Sequence, residues 1–232
     1  MSISPRRGVT ARAAIPLLLC ISIALTGCSS LNSMFGGNSS EDALAKLKWD
    51  YSEKGVHVNW TASADLNVSG GDPHSLLLTV LQMPEPNVFR QAAASSQGLS
   101  ALLSAATLPT GFTSMQRIFI QPGKRGDTWL PRAEGTQYVA VIAGYYSLDT
   151  ARVTRLYRVG ADVDSKGLFV KTRTAEPLPL DITLELGSDG LLGGTSAPAE
   201  APSVDKPTAG EVALDGNAST PQEQSIPRAP TP

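Results

Sequence analysis

"LPLDITLEL", Leu178 to Leu186, decides the fold class: Leu178, Leu180, Ile182, Leu184 and Leu186 alternate with Asp181, Thr183 and Glu185. A period of two puts the apolar side chains on one face of a pleated strand, whereas a helix would scatter them around its circumference. The same period recurs upstream. Leu47, Trp49 and Tyr51 alternate with Lys46, Lys48 and Asp50, and Val56, Val58 and Trp60 with His57, Asn59 and Thr61, which predicts two half-buried strands joined around Lys54-Gly55. Leu76 to Met83 and Tyr138 to Tyr146 are apolar on both faces, as central strands are. Met115 to Gln121, Arg152 to Val159 and Gly167 to Thr172 bring the count to seven or eight short strands, a set that an antiparallel two-sheet β-sandwich buries.

One stretch breaks the period. From Asn87 to Leu108, Val88, Phe89, Ala92 and Ala93, then Leu99, Leu102, Leu103 and Ala106, fall at helical spacing, with Asn87 as N-cap and Gly98 as a break. The spacing predicts a helical insertion over about 87–108 that covers one end of the sandwich; a membrane- or partner-binding helix is the alternative.

The ends of the chain differ from its middle. Arg6, Arg7 and Arg12 precede an apolar run, Ala13 to Leu25, that is too short to span a bilayer, so 1–27 reads as a secretory signal peptide. It closes on Leu25-Thr26-Gly27-Cys28, which resembles a bacterial lipobox: small residues precede a cysteine whose thiolate takes a diacylglycerol before cleavage. Cys28 is therefore the lipid attachment residue, and a covalent N-terminal lipid, with palmitate among its chains, is the one prosthetic group expected. At about 0.8 kcal/mol per buried CH₂, one chain binds marginally and two or more hold stably. Ser29 stands where, by resemblance to enterobacterial lipoproteins, an Asp would favour inner-membrane retention, so the outer membrane, periplasmic face, is the expected site. Residues 28–43 read as a flexible Ser/Gly/Asn tether, 44–187 as the sandwich, and 188–232 as a disordered, acidic tail rich in Pro, Ala and Ser.

Chemistry finds little support. No region concentrates Lys and Arg as phosphate neutralisation requires, which argues against nucleic-acid binding. The two histidines, His57 and His74, are isolated, and the one cysteine left after signal cleavage is consumed by lipid, so neither a metal nor another cofactor is expected. A nucleophile elbow with downstream His and acid is absent. "GKRGD", Gly123 to Asp127, predicts a hairpin turn rather than an adhesion or phosphate site, and Asp162 and Asp164 sit beside a solvated turn at Lys166-Gly167. The balance favours a binding or structural protein over an enzyme.

Several motifs then fall in an informative order: the lipobox and tether; "TASADLNVSGGDPHSLLLTVLQM"; Phe89 opening the helical insertion; Gln121-Pro122-Gly123; and "YVAVIAGYYSLDTARVTRLY". Together, over about Trp49 to Val159, they resemble the outer-membrane lipoprotein of the type VI secretion apparatus, the TssJ (SciN) family. Val153-Thr154-Arg155 departs from the family's Trp-Arg, and the Pro-rich tail is an addition. The resemblance implies a transthyretin-like sandwich within a large secretion complex. It further implies a non-enzymatic anchor that docks the periplasmic C-terminal region of the inner-membrane subunit TssM and bridges the two membranes. The family's contact loop corresponds here to Asp65, Leu66, Asn67, Val68, Ser69, Gly70, Gly71, Asp72, Pro73 and His74.

That loop has two readings on its own residues. Gly70-Gly71 permits positive φ and Pro73 fixes the exit, so Leu66 and Val68 could be presented as apolar anchors; alternatively Leu66 packs inward and Asn67 makes an Asx turn. Two rival functions remain: a periplasmic sugar- or polymer-binding sandwich using Trp60 and Trp129, and a periplasmic hydrolase using His57 or His74.

Overall fold

The structure is a computed structural model that describes residues 36–168, 170–196, 209–212 and 214. Cys28, the signal segment and most of the tail lie outside the described residues. Two sheets stack face to face. The first has the order β10 (Leu191–Ser196), β9 (Leu180–Leu186), β1 (Ser52–Ala62), β4 (Arg125–Arg132). The second runs β11 (Gly210–Glu211), β6 (Thr154–Arg158), β5 (Tyr138–Ala143), β2 (Leu76–Met83), β3 (Ser114–Ile120). The expected fold class stands, with one ladder of the other kind: β1 and β9 pair in parallel, His57 opposite Asp181 and Trp60 opposite Leu184. Parallel neighbours need a long crossover, and nearly the whole second sheet is inserted between these two strands.

The alternating residues of the opening stretch behave as read: Leu180, Ile182, Leu184 and Leu186 are buried, joined in the core by Val56 and Val58 of β1. β2 and β5 are buried on both faces. One face meets the first sheet, and the other lies under the helical insertion, which supplies Phe89, Leu99 and Leu102 to the same core. That insertion is a helix pair, α2 (Asn87–Ala93) and α3 (Ser96–Ser104). Its break falls at Ala94-Ser95 rather than Gly98, because the Ser95 side chain caps α3 by accepting from the Gly98 N–H at 3.1 Å. Asn87 is not the N-cap of α2; Pro86 takes that position.

Other boundaries shift for identifiable reasons. Residues 47–51 join no ladder; the Trp49 carbonyl accepts from Gly135 and the Asp50 carbonyl from the buried Arg132 guanidinium instead. β1 is then one strand through Gly55, although its register against β4 shifts between Ser52 and Val56, and a side chain at Gly55 would meet the Arg132 Cβ at 2.3 Å. The tether is not structureless to residue 43: α1 (Ser40–Ala45) opens on a Ser39–Asp42 capping box. Just ahead of it, Asn38 bonds the backbone of Arg173 in β8 (Thr172–Pro177), which pairs with β7 (Ala161–Lys166) as a separate hairpin. Gly167, Leu168, Val170 and Lys171 lie between the two strands of that hairpin rather than in a strand of their own. The Gln121–Lys124 turn crosses from one sheet to the other, since β3 and β4 belong to different sheets, so it is no hairpin. Nor does order end at Gly187. β10 returns along β9, and β11 lies on β6, because Leu191, Ala209, Val212 and Leu214 supply the apolar contacts that the tail's composition seemed to lack.

Candidate docking face

Four connections converge at one end of the sandwich. The β1–β2 loop begins where Ser63 N–H donates to the Leu186 carbonyl and the Ser63 carbonyl accepts from Gly123, each at 2.8 Å. Leu66 then turns inward and is 0% exposed, which decides between its two readings: it is a core residue, not a presented anchor. Asn67 takes the left-handed conformation, φ 51°, with its side chain bridging two loops: Nδ2 donates to the Ser75 carbonyl at 3.4 Å and Oδ1 accepts from the Tyr146 N–H at 3.0 Å. Left-handed backbone costs an L-residue roughly 1–2 kcal/mol, least for Asn and Asp, whose short polar side chains bond locally.

From there the loop is a miniature hairpin. Val68 N–H donates to the Ser188 carbonyl at 2.9 Å; Ser69 and Asp72 exchange backbone bonds at 3.0 and 3.2 Å around Gly70 and Gly71, both at positive φ. That two-residue turn is the geometry for which glycine pairs are suited. His74 N–H returns to the Leu66 carbonyl at 2.9 Å, and its Nδ1–H donates to the Asp72 carbonyl at 2.9 Å. Almost every polar group of the loop's base is thus paired, while Asp65, Val68 (38% exposed), Gly70, Gly71, Asp72 and Pro73 face outward, with Ser69 and His74 half-buried. The loop is built rigid, with its acidic and apolar tip exposed.

Tyr146 completes this face and was not singled out from the sequence. It is 65% exposed and meets His74 edge-on, ring centroids 5.3 Å apart. The signal available was an aromatic residue carried past Gly144, beyond the apolar run of its strand, next to Ser147 and Asp149. An open groove between this run and Ser96, Gln97 and Ser100 of α3 continues the face. Next door, Tyr145 is buried, and its hydroxyl donates within the β9–β10 turn, 2.9 Å from the Gly190 carbonyl and 3.1 Å from that of Gly187. Burial raises its pKa well above the usual phenol range, so it stays a donor.

The second polar cluster lies on the outer face of the first sheet. His57 Nδ1 is 2.7 Å from Asp181 Oδ1 and Nε2 is 3.2 Å from Asp127 Oδ2, while the ring stacks on Trp129 at 4.2 Å and 5°. Burial opposes its charge, but the hydrogen bonds it donates to Asp127 and Asp181 prevail and hold its pKa above the ordinary imidazole value. Asp127 comes from the Arg-Gly-Asp triplet, now inside β4. Both ring nitrogens are engaged by carboxylates, as in an ion-pair clamp, and the Trp129 face that a sugar would use is partly taken by His57. The Trp60 ring lies over Gly126, where an added Cβ would approach it to 2.5 Å. His74 is far along the loop and does not join His57. Among the described residues, no group of three or more His, Cys, Asp or Glu could hold a metal ion, and no helix is long and apolar enough to cross a membrane.

These features define a class: a two-sheet β-sandwich with a helix pair on one flank and a rigid, exposed loop face at one end. The chain belongs to the family of type VI secretion lipoproteins described as VasD, EvfM and TssJ, whose profile matches residues 54–187. Among solved structures it is similar to the type VI lipoprotein TssJ1 from Pseudomonas aeruginosa, at 22% identity and TM-score 0.43, covering 65% of this chain and 98% of that one. It is also similar to Serratia marcescens Lip, described as a membrane-bound component of the type VI secretion system, at 20% identity and TM-score 0.40, covering 59% and 94%. A third similar chain, at 18% identity and TM-score 0.40 with 60% and 97% covered, belongs to a structure titled as the TssM C-terminal domain (869–1107) from EAEC. No curated protein matches.

Proposed function

We propose that this chain is a structural, non-enzymatic outer-membrane component of the type VI secretion membrane complex. It is held in the periplasmic leaflet by lipid on Cys28 and docks the periplasmic C-terminal region of TssM through Asp65 to His74 together with Tyr146. The observation that carries the reading is the braced β1–β2 loop: its base is fixed by hydrogen bonds while Val68 and Tyr146 remain exposed beside it. A preorganised surface loses little conformational freedom on binding, and tyrosine is a frequent interface hot spot.

The test is a pull-down of the periplasmic region of TssM by the parent and by a Val68→Asp, Tyr146→Ala variant that melts like the parent. At least tenfold lower recovery is expected; equal recovery rejects the loop as the contact. In parallel, Cys28→Ser should leave the outer-membrane fraction and abolish secretion, and retained secretion would reject the tether.

A further inference from the structure

Two consecutive tyrosines follow β5 and face opposite ways. Tyr146 is exposed, and its N–H holds the Asn67 side chain at 3.0 Å; Tyr145 is 4% exposed, and its hydroxyl enters the β9–β10 turn, 2.9 Å from the Gly190 carbonyl and 3.1 Å from that of Gly187. That turn is the seat of the β1–β2 loop. Val68 N–H donates to the Ser188 carbonyl at 2.9 Å, Ser63 N–H to the Leu186 carbonyl at 2.8 Å and, more loosely, Asn67 N–H to the Gly187 carbonyl at 3.5 Å. The contacts close a circuit: Asn67 to Tyr146, along the chain to Tyr145, across to Gly187, and back to Asn67.

Two ties fasten this turn to the residues that follow β5. Arg152, in the short helix α4 (Thr150–Val153), pairs with Asp189, but both side chains are about half exposed and water screens the pair. The Tyr145 hydroxyl is the buried tie, and a hydrogen bond out of water's reach is the stronger one. We propose that Tyr145 is a positioning residue for docking: it lies beneath the face, out of a partner's reach, yet its hydroxyl sets the turn that fixes Val68 and so keeps the loop in place beside the Tyr146 ring. The proposal rests on the reading of Asp65 to His74 with Tyr146 as the TssM contact. Where only a fraction of molecules holds the loop in its binding geometry, apparent affinity falls by that fraction.

The test titrates the periplasmic region of TssM against the full-length parent, Tyr145→Phe, and Ile182→Val, a buried change in mid-β9 that lowers stability without touching the turn. Tyr145→Phe should raise the dissociation constant about threefold or more and speed amide exchange at Val68 at least fivefold, with the β2 amides unchanged; Ile182→Val should leave binding and Val68 exchange at the parent values. In a chain that already carries Val68→Asp and Tyr146→Ala, adding Tyr145→Phe should weaken binding no further, as for residues that act through one contact. Parent-like binding or parent-like Val68 exchange in Tyr145→Phe, equal weakening by Ile182→Val, or a Tyr145→Phe loss that persists undiminished in the loop variant each overturns the proposal while leaving the loop contact standing. A loop variant that binds as the parent does rejects the docking reading itself, and the positioning role with it.

Discussion

The backbone N–H of Tyr146 donates to the side-chain oxygen of Asn67 at 3.0 Å, joining loops 79 residues apart in sequence. The bond places an exposed aromatic ring beside the glycine turn of the β1–β2 loop, and it uses one of the few residue types that tolerates the left-handed backbone found there. The loop's backbone conformation and the placement of Tyr146 therefore both depend on Asn67.

Replacing Asn67 separates the two. Asn67→Gly keeps the backbone but loses both side-chain bonds, at about 1 kcal/mol each. Asn67→Ala adds roughly 1 kcal/mol of left-handed strain. Urea melts should rank the parent above Gly and Gly above Ala; equal stability of Gly and Ala would show that strain is not the difference.

Leu66 and Val68, two residues apart, should respond oppositely. Leu66→Ala empties a fully buried site and should cost about 2–5 kcal/mol. Val68→Ser should leave the melting temperature within a degree or two, because its side chain is already exposed, while weakening TssM capture several-fold. A stable, binding-deficient Leu66→Ala would contradict the core assignment.

Tyr145→Phe removes the hydroxyl proton shared by the Gly187 and Gly190 carbonyls in a buried turn. Leaving buried acceptors without their donor should cost about 1–3 kcal/mol, with amide exchange rising first around residues 187–191. Uniform acceleration across β1 and β9 instead would mean that the turn is not a local unit.

His57 makes stability depend on pH with a defined sign. Its folded pKa is raised by the two carboxylates against the pull of burial, so the imidazolium binds its proton more tightly in the folded chain than in the unfolded one. That stabilisation is complete below the ordinary histidine value, about 6.5, and fades as pH rises through the raised folded value. Thermal melts from pH 5.5 to 8.5 should decline across that window in the parent and less steeply in His57→Gln. Parallel slopes would remove His57 as the cause.

Sandwich, helical insertion and the extent of the candidate loop were legible because they rest on local rules. Alternation at Leu178 to Leu186 needs only the pleat, the insertion only the change of period after Asn87, and the turn only the positive φ that Gly70 and Gly71 allow. The tail misled for the complementary reason. Its composition predicts too little apolar surface for a core of its own, yet Leu191, Val212 and Leu214 needed only to cover a core that other strands had built.

What the sequence determined by itself was therefore period and turn chemistry, each encoded in neighbours along the chain. Only the tertiary structure decided that Leu66 faces the core while Val68 faces out, that Tyr146 stands beside His74, and that His57 lies between Asp127 and Asp181. Each depends on register and on the crossing of sheets between residues far apart, through the parallel β1–β9 ladder and the loop bonds at the end of the sandwich. A one-residue slip of β1 against β9, or against its antiparallel neighbour β4, would turn His57 to the opposite face. Periodicity along a strand constrains which residues share a face, but the packing of one strand against another selects which of them meet.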